Sequence, residues 1–159
     1  AAAWTWCATI YYLKFLEPLD WSAKYAAWLF CFQALALALM PWLPGRGSGI
    51  ATRSVAFTGL FLMLIALAGS PLLQWLADVH HRAIAVAGIT PELTLLFTIG
   101  WLLRIGAAAW LWVIPALGSL YAFPSGLALG YIPAMLPLPA LLIAITVMSV
   151  VPGKPQATR

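Results

Sequence analysis

Phe30-Cys31-Phe32-Gln33-Ala34-Leu35-Ala36-Leu37-Ala38-Leu39 decides the fold class of this chain. One amide interrupts an otherwise apolar run. A membrane β-barrel strand would alternate apolar and polar residues over about ten positions, and this stretch has no polar lumen face. In hydrocarbon, every backbone N–H and C=O must find its partner within the segment, so a run of this kind is a helix. It sits inside residues 25–45, a charge-free stretch between Lys24 and Arg46. A crossing of a hydrocarbon core of ~30 Å needs about 20 such residues.

The same signature recurs on both sides. Residues 54–77, between Arg53 and Asp78, carry no charge, and neither does 105–153, which is long enough for two crossings. With the opening run and the stretch around 83–103, the predicted segments are 1–16, 23–43, 54–77, 89–104, 106–129 and 133–151. The expected fold class is therefore all-α: a polytopic transmembrane helical bundle of five to six spans, forming a single domain over 1–159, with one short or broken helix near 89–104.

Composition agrees. The 159 residues are 64% hydrophobic and 8% charged, with a mean hydropathy of +0.98. Soluble domains carry about 25% charged residues, so twelve charges, eight basic and four acidic, cannot solvate a fold of this size. The pI near 9.4 does not imply nucleic acid, because the basic residues are scattered singly. Cys7 and Cys31 lie in apolar runs without CxxC or metal spacing and read as packing residues. The chain opens on Ala1-Ala2-Ala3-Trp4, already apolar and without Met, which suggests that the native start is missing.

Punctuation and charge set the expected topology. Pro41, Pro44, Gly45, Gly47 and Gly49 end the 23–43 helix, Ser54 is placed to cap the next, and Pro115 is expected to kink the 106–129 helix. Trp21, Trp42 and Trp75 fall near segment ends, where indoles favour the headgroup level. If every segment crosses, Arg46, Arg53, Arg104, Lys154 and Arg159 share one side. Lys14, Lys24 and Arg82, with all four acids (Glu17, Asp20, Asp78, Glu92), share the other. Five basic residues against three place 45–53 and the C-terminus in the cytoplasm.

Few residues offer chemistry. His80 and His81 are the only histidines. They lie outside the predicted spans and, as neighbours, point about 100° apart on a helix. A solvated loop pair is the simpler reading, and contact with a pigment, haem or quinone held by a partner is the alternative. The best candidate is Gly88-Ile89-Thr90-Pro91-Glu92-Leu93-Thr94. Thr90 suits an N-cap, Pro91 the first helical position and Glu92 the positive end of the helix dipole. A helix from Pro91 to Arg104 spans roughly 21 Å, short of a crossing, which suggests a broken segment whose N-terminus faces a cavity. Thr90, Thr94 and Thr98 form one polar stripe. Together with Glu92 they are candidates for a proton, ion or small-anion site. Against this stands an interfacial capping acid with threonine hydroxyls bonded one turn back.

Packing candidates are Gln33, expected in an interhelical hydrogen bond, and the small-residue pairs Ala66/Ser70 and Gly126/Gly130. Arg104 is expected to snorkel to the cytoplasmic interface. There is no Walker loop, dinucleotide fingerprint, HExxH or plausible Ser/His/Asp set. With four acids and two histidines, catalysis is not expected, and neither is a cofactor of the chain's own.

Three stretches carry a resemblance to a family. They are Trp4-Thr5-Trp6 through Trp21-Ser22-Ala23 to Gln33-Ala34-Leu35; Ser70-Pro71-Leu72-Leu73 followed by Gly88-Ile89-Thr90-Pro91, Thr94 and Thr98-Ile99-Gly100; and Trp110-Leu111-Trp112-Val113-Ile114-Pro115 with Ala128-Leu129-Gly130 and a Pro-rich start to the last helix. Together they resemble an uncharacterised, domain-of-unknown-function family of small bacterial inner-membrane proteins. The resemblance implies a helix before the Trp-rich one, Pro124-Ser125-Gly126 inside a kinked helix and an outer loop near 131–133. The chain departs from the pattern at Asp20, where the family often has Asn, and at Leu93, where it commonly has a second proline. The His80-His81 pair is outside the pattern, and no catalytic residue is transferred.

The expected function is an integral accessory or structural subunit that packs in the lipid bilayer against other membrane protein subunits, with a homo-oligomer as a further option. The alternative is a small-solute or ion transporter or channel that uses the broken helix at 90–92.

Overall fold

The computed structural model describes residues 1–18, 21, 23–42, 52–76 and 85–150, and every named element in them is helical. Helix α1 (Ala2–Trp6) runs directly into wider π-type turns over Cys7–Leu16. The wider turn keeps Trp4, Ala8 and Tyr12, four residues apart, on one buried face. Helix α2 (Ala23–Leu39) lies against it. Its buried residues Ala23, Ala27, Phe30 and Ala34 follow helical spacing. Phe30 carries the contact, with ring centroids 4.4 Å from Trp4 and 5.0 Å from Tyr12.

Helix α3 (Arg53–Leu64) continues through π-type turns at Ile65–Gly69 into α4 (Ser70–Leu76). The widening has a local cause. Pro71 has no N–H to offer the preceding turn, and the chain answers by loosening just before it, with the Ser70 N–H reaching back to the Ile65 carbonyl. The expected Ser54 cap is corrected: Thr52 occupies the N-cap position, makes no side-chain cap bond, and Ser54 lies in the first turn.

Helix α5 (Pro91–Ile105) is the axis of the bundle. Ten of its 15 residues are buried. It joins a core with α3 and α8 through Leu93, Leu96, Ile99 and Leu103, and contributes Leu95 to the α1–α2 core. It ends where Gly106 turns left-handed at φ 59°, with the Ala107 N–H on the Leu102 carbonyl at 3.0 Å. Association of helices in lipid depends on close packing rather than water exclusion, and the α3–α5 crossing is built accordingly. A Cβ at Gly59 would lie 2.5 Å from the Gly100 carbonyl oxygen, and one at Gly100 would lie 2.6 Å from that of Gly59.

A 3-10 turn at Ala109–Trp112 leads into α6 (Val113–Leu129), which is followed by α7 (Ile132–Met135) and α8 (Pro137–Val150). This corrects the expected kink at Pro115. The α-helix starts at Val113, so Pro115 sits in its first turn, where a missing N–H costs little. The proline inside α6 is Pro124. The expected 133–151 helix is interrupted before Pro137, which cannot donate to the turn behind it.

Among the described residues, three helices are long and apolar enough to cross a membrane: Arg53–Leu76, Ala109–Ala128 and Ile132–Val150. Ala23–Leu39 is apolar but shorter. At 15 residues, α5 extends only about 22 Å.

Candidate functional site

The threonine stripe turns inward. Thr98 donates its hydroxyl to the Thr94 carbonyl at 2.8 Å and accepts the Trp4 indole N–H at 2.9 Å. Thr94 donates to the Thr90 carbonyl at 2.7 Å and accepts the Gly88 N–H at 2.9 Å. The Cys7 sulfur lies 3.5 Å from the same hydroxyl. Both threonines therefore tie α1 and the turn before α5 to the central helix. Thr90 occupies the expected N-cap position with extended backbone, but its side chain does not cap. Its hydroxyl donates to the Val86 carbonyl at 3.1 Å, closing the turn that precedes the helix.

That turn is fixed from outside as well. The Gln74 amide accepts the Ala85 N–H at 2.9 Å and donates to the Ala85 and Ser70 carbonyls at 3.5 and 3.1 Å. Gly88, at φ 92°, makes the reversal that a side chain would strain. The chain thus enters α5 through a hydrogen-bonded turn over 85–90 rather than through helix.

Glu92 points elsewhere. Residues two apart on a helix lie on opposite faces, so Glu92 is separated from Thr90 and Thr94. It borders a cavity of about 220 Å³ between the π-type turns of the first helix, α5, α6 and α7. Tyr11, Tyr12, Tyr121, Tyr131 and Ser125 share the wall with it. The Glu92 Oε2 is closed to solvent and has no hydrogen-bond partner among the described residues. The remaining wall is apolar and includes Leu16, Pro91 and Leu95. Of the wall's polar side chains, Ser125 donates to the Tyr121 carbonyl at 3.1 Å.

A second cleft, of about 650 Å³, runs along Trp4, Leu37, Met63, Phe97 and Trp101. It also touches Thr94 and Thr98, whose hydroxyls already have partners. The structure therefore divides the predicted site: the threonines border this apolar cleft, and Glu92 borders the tyrosine cavity.

The other singled-out residues divide as well. Gln33 is buried and donates to the Leu111 carbonyl at 3.2 Å, joining α2 to the turn before α6. Ala66 and Ser70 are buried within the chain. Gly126 lies close against α7, where a Cβ would come within 2.9 Å of that of Ala134. Gly130 has open space around it, and its φ of 64° at the end of α6 accounts for glycine there. Arg104 is exposed. His80 and His81 lie outside the described residues. Among the described residues, no cluster of three His, Cys, Asp or Glu side chains could hold a metal ion.

The four tyrosines and the Gly59–Gly100 pair carry no motif in the sequence that marks them as neighbours. The available signal was sparse: a Tyr11-Tyr12 pair in an apolar run, and a lone glycine in each of two helices. In comparisons with known proteins, no family model matches this chain, and no curated protein or solved structure does either.

Proposed function

We propose that this chain is a multi-pass membrane protein of five to six spans acting as a non-catalytic accessory subunit, held by packing against partner membrane proteins. The observation that carries the reading is how its polar and apolar groups are distributed. Gln33, Thr94, Thr98 and Ser119 are buried and hydrogen-bonded within the chain. The three long helices turn large apolar side chains outward: Phe57 and Phe61, Leu117 and Leu120, Leu142 and Ile145. Such a surface suits lipid and neighbouring helices. Trp21, Trp42 and Trp75 are exposed, as headgroup-level indoles would be. Within this reading the protein lies in a bacterial inner membrane with 45–53 and the C-terminus cytoplasmic. Labelling of a Ser48→Cys variant from outside would reverse that orientation.

The test is purification from native membranes in a mild detergent, followed by sizing and mass spectrometry. Stoichiometric partner subunits support the proposal, and a homogeneous monomer or homo-oligomer defeats it. One observation favours a second reading, ion or small-solute passage: the unpartnered Glu92 oxygen beside a cavity. Flux through reconstituted vesicles that disappears in Glu92→Gln supports that reading, and equal flux in both removes it.

A further inference from the structure

The cavity beside the start of α5 holds one acidic group and a wall of phenol rings. From this we infer that it is a binding site for a small organic ammonium ion. The inference stands apart from the accessory-subunit reading, because it concerns a ligand inside the chain rather than a neighbour outside it.

The first step concerns charge. Glu92 is half-buried, and its Oε2 is shut off without a hydrogen-bond partner. A carboxylate oxygen in such a place is costly unless a cation or an N–H donor meets it. No ion pair to Glu92 is present among the described residues, and none of the side chains that share the cavity wall is basic. The described residues supply no partner for an ionised Glu92, and a cation seated in the cavity would supply one. An anion is excluded by the same reasoning, since it would meet a carboxyl group and no positive side chain.

The second step is the kind of cation. A hard metal ion requires several oxygen ligands, six or more for calcium. Here one carboxyl group shares the wall with four phenols and one serine hydroxyl, and a single carboxylate among neutral hydroxyls is a poor charge complement for a bare divalent ion. An alkylated ammonium ion has different needs: one N–H donor for the acid, and apolar or aromatic surface for its carbon groups. Tyr11, Tyr12, Tyr121 and Tyr131 supply aromatic surface, and Leu16, Pro91 and Leu95 supply the apolar remainder. Tyr11 and Tyr12 meet edge to face, with centroids 5.3 Å apart.

The third step is size. A volume near 220 Å³ equals about seven waters at roughly 30 Å³ each. It is roomy for a bare ion and small for a drug-sized ligand, for which pockets run upward from about 300 Å³. A cation of a few heavy atoms fits both limits.

Trimethylammonium is a suitable probe, because it has one N–H and three methyl groups and forms no stable amide with an activated carboxyl. The full chain in detergent micelles is heated with trimethylammonium chloride or with sodium chloride at equal ionic strength. The expected result is a saturable rise in Tm with trimethylammonium only, absent in Glu92→Gln. In parallel, a lipid-soluble carbodiimide labels the Glu92 carboxyl of the unmodified protein. Mass spectrometry should show labelling about tenfold slower at a probe concentration about ten times Kd, by simple occupancy. An equal rise with sodium chloride, a rise that persists in Glu92→Gln, or unprotected labelling each overturns the inference. If Glu92→Gln does not fold, the labelling of the unmodified protein decides alone.

Discussion

Around Gly100, α5 comes backbone to backbone with α3; around Glu92, eight residues and about 12 Å along the same helix, it borders a cavity. At the first place the absence of side chains at Gly59 and Gly100 brings two helices into contact. At the second, an acid and four tyrosines line a cavity of about 220 Å³. The contrast separates two jobs within one 15-residue helix. One end brings two backbones together, while the other packs Leu93, Leu95 and Leu96 on its covered faces and leaves one polar oxygen of Glu92 unmatched. Close helix contact is the main source of stability for helices in lipid, so the glycine crossing is where a substitution should cost most, and the cavity beside Glu92 is where the proposed ammonium ion would sit.

The sharpest way to break the contrast is to put a side chain where there is none. Gly100→Ala should cost about 2–3 kcal/mol, because the new Cβ meets backbone that cannot yield. This overrides the ~1 kcal/mol that alanine gains over glycine in a helix. Denaturant unfolding in micelles measures it, and a neutral result would mean that the two helices do not cross at these glycines. Gln74→Leu should cost about 1–2 kcal/mol, since it leaves the Ala85 N–H unpaired in a turn leading to α5. Amide hydrogen exchange should then be faster at residues 85–90, and unchanged exchange would remove Gln74 from that role.

Smaller effects test whether the threonines belong with packing or with the cavity. Thr98→Val keeps the shape and loses the bond from Trp4. Its cost should be about 0.5–1.5 kcal/mol, with a changed Trp4 fluorescence and no change in carbodiimide labelling of Glu92. Altered labelling would merge the two regions that the structure separates. Glu92→Gln should have the least effect on the ligand-free protein, within about 0.5 kcal/mol, because the amide keeps the shape of the side chain and the Oε2 it replaces has no hydrogen bond to lose. A loss above about 2 kcal/mol, of the size expected when a buried ion pair is broken, would show that Glu92 is paired rather than open.

Much of the element structure was legible in the residues. The charge-free runs mark where helices lie, and Pro91 and Gly106 bound α5 because proline suits a first helical turn and glycine a left-handed cap. Gln33 was legible as an interhelical donor because a lone amide in an apolar run needs a partner. The departures have one physical source. Prolines act through the hydrogen bonds they remove, and which bonds those are depends on where the helix starts. Pro115 moved from an expected kink to a first turn because α6 starts at Val113. Pro71 instead altered the turn before it, which the sequence pattern did not indicate.

What this sequence determined by itself is that the chain is helical and apolar, with segment boundaries close to its charges, glycines and prolines. Those are local consequences of hydropathy and backbone hydrogen bonding, readable within one segment at a time. Tertiary structure alone decided that the short α5 is the central helix. It decided that Gly59 meets Gly100 from 41 residues away in the chain. It also turned the threonines inward while leaving Glu92 among tyrosines from other helices. Those outcomes depend on which faces meet across the bundle, and a helix that is apolar all round carries no periodic mark of the face that will be covered.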